Sequence, residues 1–409
     1  MTGVQTCALP ILDYGVEVEE TPPRPPLPPP GKIDALLLTH AHLDHCGAIP
    51  ILKKKQEFPI FALPCTKELA HMLLKDSLKI NIETVGSMEA VKLQFTKHDI
   101  DRTMKNFTDV SYKKEFKIHK TKVKVFDAGH IPGSYMCHVD TGEKKILYTG
   151  NYNTNGTRLL KKADEDLPAT DILITESTYS DRDHPDRKVQ EKELLRIVEE
   201  TISHGGVSVI SSFAIGRAQE ILLILHDRGF DYPVYMDGMA KKATTIINKH
   251  RKLLSDPNEI DEALKKVKYV TDDRMRNKII KQPCAIITTS GMLNGGPVVN
   301  YISKLHNDQR SSLLLTGFQA PKTGGKTLLD TGRFVLEEDN INVDMKMFYK
   351  RLDFSAHLGR KELFAFIEKV NPEKVFCVHG EKTEEFANEL KEKGFDAIAP
   401  IKENRIFKI

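Results

Sequence analysis

The stretch IDALLLTHAHLDH, residues 33–45, decides how this chain is read. Its first half is a near-continuous apolar run, which predicts a buried strand, and open α/β sheets gather ligands at the carboxyl ends of such strands. His40, His42, Asp44 and His45 would therefore be delivered together at one strand end. Imidazole nitrogen and carboxylate oxygen suit a borderline cation such as Zn²⁺, and His-x-His followed by Asp-His lets one short loop feed two adjacent ions. A merely solvated loop is the alternative, and three histidines within six residues argue against it.

Length and composition bound the rest. The 409 residues provide two to three domains' worth of chain, and 40% hydrophobic with 29% charged residues is ordinary for a soluble protein. A formal net charge of +3 is nearly balanced, so attraction to nucleic acid has to come from local clustering. Cys7, Cys46, Cys65, Cys137, Cys284 and Cys377 form no C-x-x-C pair, which argues against a zinc ribbon or a disulfide framework. They read as reduced, mostly buried thiols. No apolar run approaches the ~20 residues of a bilayer span, and the start shows no signal core. The expected compartment is the cytoplasm, with no membrane partner.

Along the chain, MTGVQTCALPI at 1–11 resembles translated adapter sequence and supplies no alternating pattern. The tract PPRPPLPPP at 22–30 lacks backbone donors and predicts an extended, exposed loop. Apolar residues at Leu69, Met72, Leu73 and Ile80 predict a helix over 66–80. Strands are expected at 121–126, 145–149 and 171–175, each opening into a polar loop: His130 follows the first, Asn151 the second and Glu176 the third. From about residue 182 the pattern becomes alternating helix and strand: helix 185–204, strand 207–211, helix 216–226, strand 233–236, helix 239–254, then strands 284–289 and 312–316. That alternation predicts a parallel sheet covered by helices. DFSAH at 353–357 and VHG at 378–380 then return to histidines in polar loops. The chain is accordingly divided into 1–181, an inserted 182–348, and a returning 349–409.

Collected in order, the candidates are Asp13, His40, His42, Asp44, His45, His130, Asn151, Glu176, His357 and His379. This set resembles the metallo-β-lactamase superfamily. The inserted α/β segment and the two late histidines narrow the resemblance to its β-CASP nucleic-acid hydrolases, and more closely to short archaeal proteins related to the cleavage and polyadenylation specificity factor. It runs from Leu12 to Ile409. It implies an αββα sandwich with an inserted β-CASP domain, a parallel sheet flanked by helices. By position, His40, His42 and His130 match ligands of a first zinc, while Asp44, His45 and His379 match ligands of a second. Asp13 matches a carboxylate that orients the histidine loop. Glu176 matches the acid that holds His357, and His357 matches the group that protonates the leaving oxygen; Asp44 is counted among the catalytic residues as well as the ligands. A two-cation centre lowers the pKa of a bridging water and supports in-line displacement, so the implied reaction is phosphodiester hydrolysis.

One position departs from the pattern. Asn151 stands where the family has a metal-bridging aspartate. Two dications ~3.5 Å apart repel by ~19 kcal/mol in gross Coulomb terms at an effective dielectric of ~20, and a neutral amide offsets less of this than an anion. The expectation is two metal sites with the second weakened, or a preference for Mn²⁺.

For substrate, Arg217 at a helix start and Ser290, Gly291 and Met292 at a strand end are expected to cradle phosphates, with Ser355 beside them. With no Trp and few aromatics, backbone tracking is expected over base stacking. The leading function is a zinc-dependent ribonuclease acting on single-stranded RNA, with DNA as the alternative polymer; the sequence leaves the oligomeric state open, a homodimer being one candidate. A small-molecule hydrolase of the same superfamily needs neither the insertion nor His357. A non-catalytic RNA-binding scaffold is the rival that Asn151 supports.

Overall fold

The computed structural model describes residues 10–17, 23–29, 31–85, 94–337 and 340–400. Residues 1–9 with Cys7, 18–22 and Pro30 of the proline tract lie outside the described residues. The chain divides into two compact units, the first made of 1–156, 162–183 and 356–409, the second of 157–161 and 184–355.

The first unit is built on two sheets. One is a four-stranded parallel sheet in the order Pro10–Leu12, Ala35–Leu37, Ile60–Ala62, Phe107–Asp109. Pro10 and Ile11, assigned from sequence to an adapter-like stretch, here form its edge strand, in parallel register with Ala35 and Leu36. The other has seven strands in the order Asp396–Ile398, Lys374–Val378, Ile172–Glu176, Lys145–Tyr148, Tyr135–Asp140, Thr121–Asp127, Glu115–Ile118. Its first four strands run parallel, and the last three join by antiparallel pairing. The sheets meet through stacked Phe61 and Phe116, 4.8 Å apart, and through the Tyr135 hydroxyl, which donates to the Phe61 carbonyl at 2.9 Å.

Helices close both outer faces. Leu74, Leu78 and Ile100, on helices Pro64–Val85 and Lys97–Met104, cluster on one side; Leu363, Ile367, Phe386 and Leu390 do so on the other. Ala35 to Leu38 are fully buried. Burying three leucines there stabilises the unit by about 6 kcal/mol in gross transfer terms, and Leu37→Ala would cost about 3 kcal/mol. The apolar run thus becomes an inner strand because only there are both of its faces dry.

The second unit carries a six-stranded sheet, parallel throughout, in the order Val267–Tyr269, Val234–Met236, Cys284–Thr288, Val207–Ser211, Ser312–Leu315, Phe348–Arg351. Helix Arg187–Ser203 starts where Asp186 accepts from the Val189 amide at 3.1 Å. An antiparallel hairpin, Arg333–Leu336 with Ile341–Asp344, adds a second small sheet. Among the described residues no helix is long and apolar enough to cross a membrane, and five cysteines are free and buried.

Candidate metal centre

The histidine loop is shaped locally. After the strand Ala35–Leu37, His42 precedes a four-residue helix, Leu43–Cys46, that carries Asp44 and His45. The Asp13 loop lies against it: the Tyr14 amide donates to the His45 carbonyl at 2.8 Å. Gly15 allows this approach, since a Cβ there would lie 1.7 Å from the Asp44 carbonyl oxygen. Asp13 (φ 58°) and His379 (φ 52°) are non-glycine residues in the left-handed region. Such conformations cost about 1–3 kcal/mol each and cluster at functional sites.

Asp13 is saturated by donors. Its Oδ1 accepts from the Thr39 amide at 2.7 Å; its Oδ2 accepts from the Thr39 hydroxyl at 2.7 Å, His45 Nδ1 at 2.7 Å and the Tyr148 hydroxyl at 3.0 Å. A carboxylate so engaged orients its neighbours and has little capacity left to bind an ion.

The donor set fits a cation. The Thr39 proton goes to Asp13, so its oxygen accepts from His40 Nδ1 at 3.0 Å and leaves His40 Nε2 as a bare lone pair. His130 Nδ1 donates to the Ala356 carbonyl at 3.0 Å, leaving its Nε2 bare as well. Both face His42 Nδ1, at 3.2 and 3.3 Å. One proton on His42 serves only one of them, and the Asn151 amide nitrogen approaches His40 Nε2 only at 3.5 Å. Burial, reinforced by neighbouring imidazoles, holds His40 and His130 well below the usual histidine range. Burial likewise brings His42 down to about 4, against the opposing pull of Asp44. Three neutral rings with converging lone pairs form a nest for a divalent ion.

A second nest adjoins it. His45, with Nδ1 donated to Asp13, turns a buried and unpartnered Nε2 toward Asp44 Oδ2 at 3.5 Å. A lone pair facing a carboxylate is repulsive unless a cation stands between them. His379 Nε2 meets the same oxygen at 3.0 Å. Burial would depress His379, but the hydrogen bond and charge of Asp44 raise it to about 9, while Asp44 itself is held far below the usual carboxylate range against its burial. A proton on His379 thus stands where the ion would.

Beside both nests lies an acid–histidine pair. His357 Nδ1 donates to Glu176 Oε2 at 2.6 Å, and its ring centroid is 4.7 Å from that of His130 and 6.0 Å from that of His379. Burial pushes Glu176 up, yet the charge and hydrogen bond of His357 leave it below its ordinary value. The Thr178 hydroxyl donates to the same Glu176 oxygen and meets His379 Nδ1 at 2.9 Å, so one side chain ties the pair to the second nest. Thr178, Thr39 and Tyr148 carry no role in the reading of the sequence. The one signal available was Thr178's place in the loop that Glu176 opens.

Asn151, 2% exposed, lies against His40, and its Oδ1 is buried without a partner. The first unit therefore gathers Asp13, His40, His42, Asp44, His45, His130, Asn151, Glu176, His357 and His379. Arg217, Ser290, Gly291, Met292 and Ser355 belong to the second unit. Arg217 opens helix Arg217–Asp227 with its guanidinium 5.9 Å from the Phe354 ring centre. The Ser290 carbonyl accepts from the Ser211 hydroxyl at 2.8 Å, and that of Gly291 from the Gln319 amide at 2.8 Å. The Ser355 amide donates to Asp353 at 3.1 Å.

Residues 29–174 match the metallo-beta-lactamase superfamily domain, 218–328 the Beta-Casp domain, and 342–400 the Zn-dependent metallo-hydrolase RNA specificity domain. The chain is 37% identical over 385 residues to "Probable RNase MJ4" of Methanocaldococcus jannaschii, covering 90% of this chain and 87% of that protein. It is 34% identical over 398 residues to "RNase aCSPSF2" of Saccharolobus solfataricus, covering 95% and 78%. To "Transcription termination factor FttA" of M. jannaschii it is 34% identical over 382 residues, covering 86% of this chain and 59% of that protein. With the metal-binding fold of the first unit and the Beta-Casp domain of the second both matched, the chain belongs to the β-CASP ribonuclease family of the metallo-β-lactamase superfamily, alongside its archaeal cleavage and polyadenylation specificity factor-like members.

Proposed function

We propose that this chain is a zinc-dependent ribonuclease that hydrolyses phosphodiester bonds of single-stranded RNA. The observation that carries the proposal is the Glu176–His357 pair, 2.6 Å apart, set beside the histidine nests. A small-molecule hydrolase of the same superfamily has no need of that pair. His40, His42 and His130 would hold one ion, and Asp44, His45 and His379 the other. When bound, two divalent ions supply a water of lowered pKa and Lewis-acid stabilisation of the phosphoryl oxygens. His357, with Nδ1 committed to Glu176, keeps Nε2 for a proton that it delivers to the leaving oxygen. Asp13 fixes His45 in the tautomer that presents Nε2. Five free, buried cysteines agree with a reducing cytoplasm.

Asn151 favours a second reading, a weakly active RNA-binding subunit, because its buried amide beside His40 would bring no negative charge to ions held there. One experiment separates the two. The purified chain is incubated with RNA labelled in turn at each end, with added zinc or manganese, alongside His42→Ala and His357→Ala. Cleavage lost in both variants supports the nuclease, and product length reports whether attack is internal or terminal. RNA binding without cleavage in the parent chain supports the subunit reading.

A further inference from the structure

A pocket of ≈ 480 Å³ lies in the second unit, lined by Tyr235, Lys268, Asp272, Arg274, Met275, Lys278, Ile279 and Gln282. It is formed where the edge strand Val267–Tyr269 and its neighbour Val234–Met236 meet the helix Asp273–Ile279. That volume falls in the range of ligand pockets, ~300–1,000 Å³. Its floor is Tyr235, whose hydroxyl accepts from the Gln282 amide at 3.1 Å, together with Met275 and Ile279. Its rim is cationic.

Lys268, Arg274 and Lys278 are exposed, and among the described residues none of the three makes an ion pair. Asp272, the one acid in the lining, caps the helix: its Oδ1 accepts from the Met275 amide at 2.8 Å. Arg274 and Lys278 stand four residues apart on one helical face, where like charges repel. The opposite side of the helix is clamped. Arg276 donates through Nε and Nη2 to the fully buried Asp237, at 2.7 and 3.1 Å, and Asp237 also accepts from the Tyr301 hydroxyl at 2.8 Å. The helix is thus anchored by one arginine so that two other cations project together over a pocket whose one acid, Asp272, is outnumbered by Lys268, Arg274 and Lys278.

We infer that this pocket is an RNA exosite, in which Lys268, Arg274 and Lys278 hold consecutive phosphates of a single strand. Gln282, braced against the Tyr235 hydroxyl, presents its amide to the nucleotide that links those phosphates. The inference rests on RNA being the substrate, and its test is independent of the metal centre. Binding of a fluorescein-labelled oligouridylate to the full chain is followed by anisotropy in EDTA, across a range of KCl. The parent is compared with the triple variant Lys268→Gln, Arg274→Gln, Lys278→Gln. A control, Lys117→Gln, Lys120→Gln, Lys122→Gln, removes the same charge from exposed positions of the first unit.

The exosite variant is expected to bind about tenfold or more weaker at low salt, with the slope of log K against log salt shallower by about 2. The control should leave the slope near that of the parent. Identical behaviour of the two triple variants overturns the exosite. Pocket substitutions that weaken binding of inorganic pyrophosphate while leaving oligouridylate binding unchanged also overturn it, in favour of a small phosphate ligand. A parent chain that binds RNA through the pocket yet never cleaves it leaves the exosite standing and removes the hydrolase reading.

Discussion

Strand ends in the two units carry loops rich in polar residues, yet the loops spend their polar atoms in opposite ways. In the second unit the loop after Cys284–Thr288 is tied to its neighbours: the Ser290 and Gly291 carbonyls take donors from Ser211 and Gln319, and the Asn294 amide donates to the Ser290 hydroxyl at 3.2 Å. At the helix start beside it, Gln219 accepts from the Gly216 amide at 2.8 Å. In the first unit His40, His45 and His130 each engage a partner with one ring nitrogen and turn the other toward one of the two nests. A loop that turns ring nitrogens toward one another and a loop whose carbonyls are taken by neighbouring donors look alike in composition. The difference lies in which side of each ring its neighbour holds.

The comparison can be broken most sharply at His357. With His357 Nδ1 held by Glu176 at 2.6 Å, His357→Ala should lower kcat on RNA by about 10²–10⁴-fold while metal content per chain stays unchanged. Loss of metal in that variant would mean that His357 is a ligand, and the boundary between nest and acid pair would have to be redrawn. Next is the cation itself. If the nests are built for it, zinc at a hundred times its Kd should stabilise the chain by about 2.7 kcal/mol, raising Tm. The shift should be much smaller in His42→Ala and absent from second-unit variants such as Ser290→Ala.

Asn151→Asp sharpens the contrast within the first unit. Restoring an anion where the amide now sits should tighten retention of the second ion by about 10–100-fold, read by metal analysis after graded chelation. Two tightly held zincs in the parent chain, unaffected by the substitution, would refute the idea that the amide weakens the site.

The smallest effect belongs to the second unit. Asp353 is pushed up by burial, but the His184 partner at 3.3 Å and the Ser355 amide bring it down to about 2. A depressed carboxylate stabilises the fold at pH values above its unfolded pKa of about 3.9 and loses that contribution as pH falls toward 2. Asp353→Asn should therefore lower Tm by about 2–4 °C at neutral pH, with the difference vanishing near pH 2 and kcat unchanged. A loss of activity at constant Tm would give Asp353 a chemical role and blur the division between the two units.

Legibility in the sequence followed distance along the chain. The HAHLDH loop concentrates its chemistry in six residues, and the apolar run before it announces the strand that delivers it. His130, Glu176 and His379 were visible because each follows a run of strand-forming residues. The parallel sheet of the second unit was legible for the same reason, with Val207–Ser211 read to the residue. What stayed hidden depends on partners remote in sequence. Thr39 and Tyr148 look like ordinary polar residues until the chain brings them to Asp13, 26 and 135 positions away. The clamp of Asp237 by Arg276 and Tyr301 spans 39 and 64 positions. The short charged helices Pro257–Lys266 and Asp273–Ile279 lacked the long apolar stripe that the sequence reading relied on.

Because the first unit is interrupted at 183 and resumes at 356, its two nests draw on residues made early and late during translation. The ribosome will have synthesised the whole second unit before His357 and His379 emerge. Under the proposed roles of His357 and His379, a half-made chain carrying His40, His42 and His130 has neither the proton donor nor the last ligand, and it is expected to leave uncut the message from which it is being read.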